Sequence, residues 1–228
     1  MFQGRANEHT PARGPYLDLV IRHFFSDLIF LFAVIDPIGT VPVFIAATAG
    51  MSARARRIIA FRAFAVSVGR LLGAIIVGQL VLEWLSLDVA ALQVAGGIIL
   101  FLFALNMVLG ESKPESELAE IEKHTNDNID VAVYPLAVLS IAGPGAVTAV
   151  ILRTDNAQFS IGQQMLTATA ACLILGVTFT AMLGASYLQR LLGGMGASIV
   201  SRVMGLLFAA IAADTVLTGV RTFFVEAA

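Results

Sequence analysis

One segment of this 228-residue chain constrains its fold more than any other. "FFSDLIFLFAVIDPIGTVPVFIAATAG", Phe24 to Gly50, is long and apolar enough to cross a bilayer, which takes about 20 apolar residues. Near its middle, however, stand an aspartate, two prolines and a glycine. Proline removes a backbone donor and clashes with the preceding turn, so Pro37 and Pro42 are expected to interrupt the helix. Gly39 removes bulk and permits unusual dihedrals. A carboxylate at a helix centre costs about 2.5–3.5 kcal/mol on insertion scales, so Asp36 is expected to be paired or functional. The bland alternative is a proline kink with Asp36 capping a half-helix, and capping is compatible with function.

Five further apolar stretches follow, at about Ile58–Leu85, Val89–Leu109, Val131–Leu152, Ile161–Leu183 and Ile199–Val220. Only 13% of the residues are charged, against about a quarter in soluble domains. The expected class is therefore an all-α, multi-pass membrane protein with six transmembrane helices. The spans are too long and unbroken for the short alternating strands of a barrel. A net charge of −2 gives no sign of a nucleic-acid partner. The single cysteine, Cys172, cannot form an intrachain disulfide and reads as a small packing residue. Residues 1–22 read as a polar tail without a cleavable signal pattern.

A polar connector, residues 111–130, separates two blocks of three segments, 23–110 and 131–224. The blocks resemble each other. "IDPIGTVPVFI" opens the first and "AGPGAVTAVIL" the second. Near their ends "GIILFLFALNMV" lies over "GLLFAAIAADTV", which registers Gly97 with Gly205, Ala104 with Ala212 and Asn106 with Asp214. Three crossings per copy reverse the direction of the second, so an inverted repeat is expected, with helices 1 and 4 broken at DPIG and GPG. Basic residues gather in "SARARR" and at Arg62, Lys113, Lys123 and Arg190. Arg5, Arg13, Arg22, Arg153 and Arg221 lie on the other side. The imbalance places "SARARR" in the cytoplasm and both termini outside.

The chemistry is expected where the breaks meet. Gly143, Pro144 and Gly145 interrupt the fourth helix as Pro37, Gly39 and Pro42 interrupt the first. Each break frees amides and carbonyls that are tolerated only inside protein or beside a cavity. A half-helix start suits a substrate carboxylate, and freed carbonyls suit an ammonium or a cation. Thr40 and Thr148 offer hydroxyls after the two breaks. Asn106, Asp214 and Arg70 are secondary candidates. Asn106 reads most simply as an interhelical hydrogen bonder, Asp214 either as a polar site or as a partner of Arg202 or Arg221. Arg70 is expected to need an acid, Asp36 or Asp214. The small residues in "AGG" (Ala95 to Gly97) and "GGMG" (Gly193 to Gly196) permit close helix approach or mark turns and lack a nucleotide-binding pattern. Without a nucleotide-binding engine, any transport would be secondary or channel-like, with no cofactor and with a proton or Na+ as coupling ion. The chain is not expected to be an enzyme. Asp36 and Asp214 could in principle form an aspartyl protease pair, but their contexts, "IDPIG" and "AADTV", do not match such enzymes.

Four strings in order, "DPIGTVPVFIA", "LQVAGGIILFLFALNMVLG", "YPLAVLSIAGPGAVTAVIL" and "RVMGLLFAAIAAD", resemble the MarC family of six-helix bacterial inner-membrane proteins. That family is also called NAAT, for neutral amino acid transporters. The resemblance implies uptake of small neutral amino acids such as alanine and glycine. The family motifs fall on Asp36, Pro37, Gly39, Pro42, Pro135, Gly143, Pro144, Gly145 and Thr148. Two positions depart from the pattern: Asn106 stands where many relatives carry an acid, and Asp214 is acidic where they often carry an uncharged polar residue. The expected function is secondary transport of a small neutral amino acid or similar solute across the bacterial inner membrane. An exporter or a channel for another small solute is the alternative, and a purely structural membrane protein is a further one. Either coupling ion, either direction of transport and a homo-oligomer are compatible with these residues.

Overall fold

Apolar helices satisfy their own backbone groups, so in lipid their arrangement is set by side-chain packing and by the few polar groups they bury. The computed structural model describes residues 14–85, 89–109, 132–156 and 158–226, all in helices or short turns. The connector expected at 111–130 and the first part of the tail lie outside the described residues. The elements are α1 (Gly14–Ile35), α2 (Pro37–Ala47), α3 (Ala53–Leu85), α4 (Val89–Leu109), α5 (Ala132–Ile141), α6 (Pro144–Arg153), α7 (Ile161–Leu183) and α8 (Ala185–Glu226). Among the described residues five spans are long and apolar enough to cross a membrane, the first being Val20–Ala47, which joins α1 and α2 across a break.

The fourth expected segment is split into α5 and α6, neither of which reaches membrane length alone. Together they run beside α3 in the same direction. Arg70 Nη1 donates to the Val138 carbonyl at 2.6 Å, and further along Gln79 Nε2 donates to the Ile151 carbonyl at 3.4 Å.

The broken first span forms the centre. Two-thirds of its apolar window (67%) is buried, against 17% for α3 and 22% for the α8 span. The other helices turn large apolar side chains outward, among them Ile76, Trp84, Leu102 and Leu206. Such a surface suits lipid contact, and it shields a centre that carries the polar groups.

Several neighbour relations repeat when the two halves are exchanged, though α1 also packs on α8 with no comparable interface between α5 and α4 among the described residues. α1 packs on α7 as α5 packs on α3, and α2 packs on α7 as α6 packs on α3. Likewise α2 meets α8 and α5, while α6 meets α4 and α1. The largest interface joins α4 to α8. It is built on small residues, which let backbones approach closely. A Cβ on Gly97 would lie 2.7 Å from Val216 Cγ2 and 3.2 Å from the Ala212 carbonyl. A Cβ on Gly205 would lie 3.1 Å from Val108 Cγ2 and 3.4 Å from the Ala104 carbonyl. The register that pairs Gly97 with Gly205 pairs Ala104 with Ala212 and Val108 with Val216, so the two contacts exchange.

Three expectations about boundaries change. α1 begins at Gly14, inside the stretch read as tail. Pro42 does not interrupt the chain but lies within α2. Only the Ile38 carbonyl, four residues back, loses its helical donor there, and packing around the largely buried α2 holds the turn. The glycines at 193–196 continue α8 rather than ending it. A glycine in a helix costs roughly 1 kcal/mol relative to alanine, too little to stop a helix supported on both sides.

Candidate functional site

Asp36 is the hinge of the first break. Its backbone is left-handed, with φ 49° and ψ 71°, and among the described residues it alone has positive φ without being glycine. That conformation costs roughly 1–2 kcal/mol for an ordinary residue, and aspartate is among the few that adopt it. The cost is offset locally. Asp36 Oδ1 accepts the Gly39 amide at 2.9 Å and so caps α2, while Pro37 occupies the first helical position, where no N–H is needed. Oδ2 accepts a 2.5 Å hydrogen bond from the Ser201 hydroxyl of α8. Gly39 is required by this geometry, because a Cβ there would overlap Asp36 Oδ2 and lie 2.5 Å from Ser201 Oγ.

Thr40 ties the two breaks together. Its hydroxyl donates to the Asp36 carbonyl at 3.0 Å and accepts from the Ser140 hydroxyl at 3.2 Å. Ser140 lies at the end of α5, just before the second break. Asp36, Thr40, Ser140 and Ser201 are all almost completely buried. Four polar side chains from α2, α5, α8 and the first break thus share one closed cluster.

The second break is built differently. α5 is wound as a π-helix, with the Ala142 amide reaching back to the Ala137 carbonyl at 3.0 Å. Gly143 precedes Pro144, the first residue of α6, and supplies no side-chain cap. With no N–H on Pro144, the carbonyls ending α5 lose helical donors. Arg70 meets one of them, Val138, and its charge faces the negative end of that half-helix. The expectation that Arg70 pairs with an acid is therefore corrected, since a broken helix end serves the cation instead. Gly145 lies against Phe103 of α4, where a Cβ would come within 3.1 Å of the ring.

Other sequence-derived candidates lie apart from the cluster. Pro144 is exposed and Thr148 partly exposed on α6, and no hydrogen bond among the described residues joins Thr148 to Thr40. Asn106 is exposed on α4. Asp214 is exposed too, and among the described residues neither Arg202 nor Arg221 lies within ion-pair distance of it; Arg202 reaches the Val108 carbonyl at 3.5 Å. From Ser201, which touches Asp36, to Asp214 is thirteen residues of α8, about 20 Å at 1.5 Å per residue. The two acids do not form a pair. The Gly39 amide after the first break is occupied by Asp36 itself, so in this closed arrangement it is not offered to a ligand.

Ser140 and Ser201 escaped the sequence reading, as did a second buried acid. Asp27 of α1 is fully buried beside three side chains, of which Thr167 alone among the described residues hydrogen-bonds to it. Arg153 Nε lies 3.3 Å from Oδ1, His23 Nε2 lies 3.4 Å from Oδ2, and the Thr167 hydroxyl donates to Oδ2 at 2.5 Å. Arg153 also donates to Ser26 Oγ at 3.1 Å and stacks over Phe30 at 5.0 Å. An intramembrane acid one turn inside an apolar span was the available signal.

A family model described as MarC family integral membrane protein matches residues 21–224. The chain is 31% identical over 201 residues to UPF0056 membrane protein MJ1677 of Methanocaldococcus jannaschii, covering 88% of this chain and 97% of that protein. It is 32% identical over 199 residues to a UPF0056 membrane protein of Archaeoglobus fulgidus, covering 86% and 91%. It is 27% identical over 201 residues to UPF0056 inner membrane protein YhgN of Escherichia coli, covering 88% and 98%. No solved structure matches the chain.

Proposed function

The chain belongs to the MarC family of integral membrane proteins, and we propose that it is a secondary transporter of small neutral amino acids or a similar small solute. One observation carries the reading: the Thr40–Ser140 hydrogen bond joins two interrupted spans at a buried carboxylate. Interrupted helices meeting inside the bilayer are a recurrent way of building a solute and ion site. The exchange of neighbours between the halves supports an inverted repeat with its axis in the membrane plane. In this reading the present arrangement is a closed state. Opening at the breaks frees the Gly39 amide from Asp36 and turns Asp36, Thr40 and the uncapped start of α6 toward the solute. Asp36 then contacts an ammonium, a coupling proton or Na+, and rocking of one half against the other alternates access.

The near-complete burial of Asp36 and Thr40 favours a carrier over an open channel. We place the protein in the bacterial inner membrane, with "SARARR" in the cytoplasm and both termini outside. Counterflow tests the reading: proteoliposomes preloaded with unlabelled L-alanine should transiently accumulate labelled L-alanine. Import without transient accumulation would point to a channel, and no import of any neutral amino acid would remove the substrate class.

A further inference from the structure

A cavity of about 180 Å³ lies at the C-terminal end of α6, away from the Asp36 cluster. Its wall includes Arg153, Asp214, Gln93, Thr215 and Phe30. That volume has room for several waters or a small solute. A wider groove between α1 and α8 shares Arg153, Asp214 and Phe30 with it and opens outward.

Its charges are of opposite sign and are not spent on each other. Arg153 is fixed from behind by Asp27 and Ser26, and no hydrogen bond is made by its Nη1 among the described residues. Asp214 has no ion-pair partner among the described residues. Gln93 Nε2 donates to Gln158 Oε1 at 2.8 Å, while Gln93 Oε1 is buried and accepts no hydrogen bond among the described residues. A guanidinium hydrogen-bonded to Ser26, a free carboxylate and the Gln93 side chain thus border one small space.

We propose that this cavity is a recognition site for a small zwitterion, with Arg153 taking the carboxylate and Asp214 taking the ammonium. The proposal rests on the transport reading above and adds a second station to it. Phe30 lines the cavity, packs on Phe208 with ring centroids 5.8 Å apart, and Phe208 packs on Phe103 at 6.1 Å. Phe103 in turn lies against Gly145. This aromatic column stands between the cavity and the second break, so a zwitterion selected at Arg153 and Asp214 reaches the breaks only when the rings move.

The test uses the full chain in lipid nanodiscs, with labelled L-alanine and labelled propionate, which has the carboxylate but no ammonium. Wild type should prefer alanine. Asp214→Asn should weaken alanine binding by about 10- to 100-fold, the loss expected for a hydrogen bond to a charged group, while leaving propionate within about twofold. Retained propionate binding also reports an intact fold. Unchanged discrimination between the two probes in Asp214→Asn overturns the proposal, as does an equal loss of both. Alanine uptake by wild type in those cases leaves the transport reading standing. Absence of both binding and uptake of every neutral amino acid by wild type overturns that reading and this site with it.

Discussion

Ser201 of α8 donates its hydroxyl to Asp36 Oδ2 at 2.5 Å, across 165 residues of sequence, while Asp36 Oδ1 caps the helix that begins at Pro37. One carboxylate therefore holds a half-helix start and fastens it to the last span. Ser201→Ala leaves a buried carboxylate oxygen without its donor, at a cost of about 1–3 kcal/mol. A lower thermal unfolding midpoint in detergent is the expected result. An unchanged midpoint would mean that another group satisfies Oδ2.

Gly39→Ala should damage the protein more than an alanine at Gly73, and for a steric reason. At Gly39 the new methyl overlaps Asp36 and Ser201, whereas at Gly73 of α3 nothing lies within 4 Å. Overpacking costs typically about 1–3 kcal/mol, and Gly73→Ala should be neutral or stabilise by up to about 1 kcal/mol. Paired thermal melts check the order, and equal melts would contradict the geometry.

The reason the first break was legible in the sequence is local. Asp36 caps within three residues and Pro37 fits a first helical position, so the strings alone announce a helix restart. The register of Gly97 with Gly205 was legible because they stand at matching positions in similar strings, but the α4–α8 contact that the two glycines serve was not expected. Ser201 and Ser140 were not, since a serine in a membrane helix looks the same whether it bonds its own turn or a distant carboxylate. Arg70 misled for a related reason. Its partner is the Val138 carbonyl, and a backbone acceptor freed by a break elsewhere leaves no trace in residue identity.

Asp27 and Arg153 form a buried acid–base contact that should show coupling. Asp27→Asn leaves Arg153 without its counter-charge, and because the Arg153 side chain is 24% exposed the cost is about 2 kcal/mol rather than the larger penalty of a sealed pair. Adding Arg153→Gln should restore part of it, with an interaction energy of about 1 kcal/mol in a double-mutant cycle. Strictly additive losses would show that the contact is incidental.

The exchanged contacts at Gly97 and Gly205 make a matched pair of variants informative. Gly97→Val and Gly205→Val each push α4 from α8, the first against Val216 and Ala212 and the second against the register-matched Val108 and Ala104 together with Met107. Their losses of stability should agree within about 1 kcal/mol, in the usual range for overpacking. Tolerance of one with collapse of the other would contradict a two-fold relation between the halves.

The most direct measurement is uptake of labelled L-alanine into proteoliposomes under imposed proton or sodium gradients, comparing wild type with Asp36→Asn. The expected result is gradient-driven accumulation by wild type, lost in Asp36→Asn protein that inserts and melts as a folded species. Accumulation at the wild-type rate by Asp36→Asn, with the same dependence on the gradient, would contradict a transport role for the buried carboxylate.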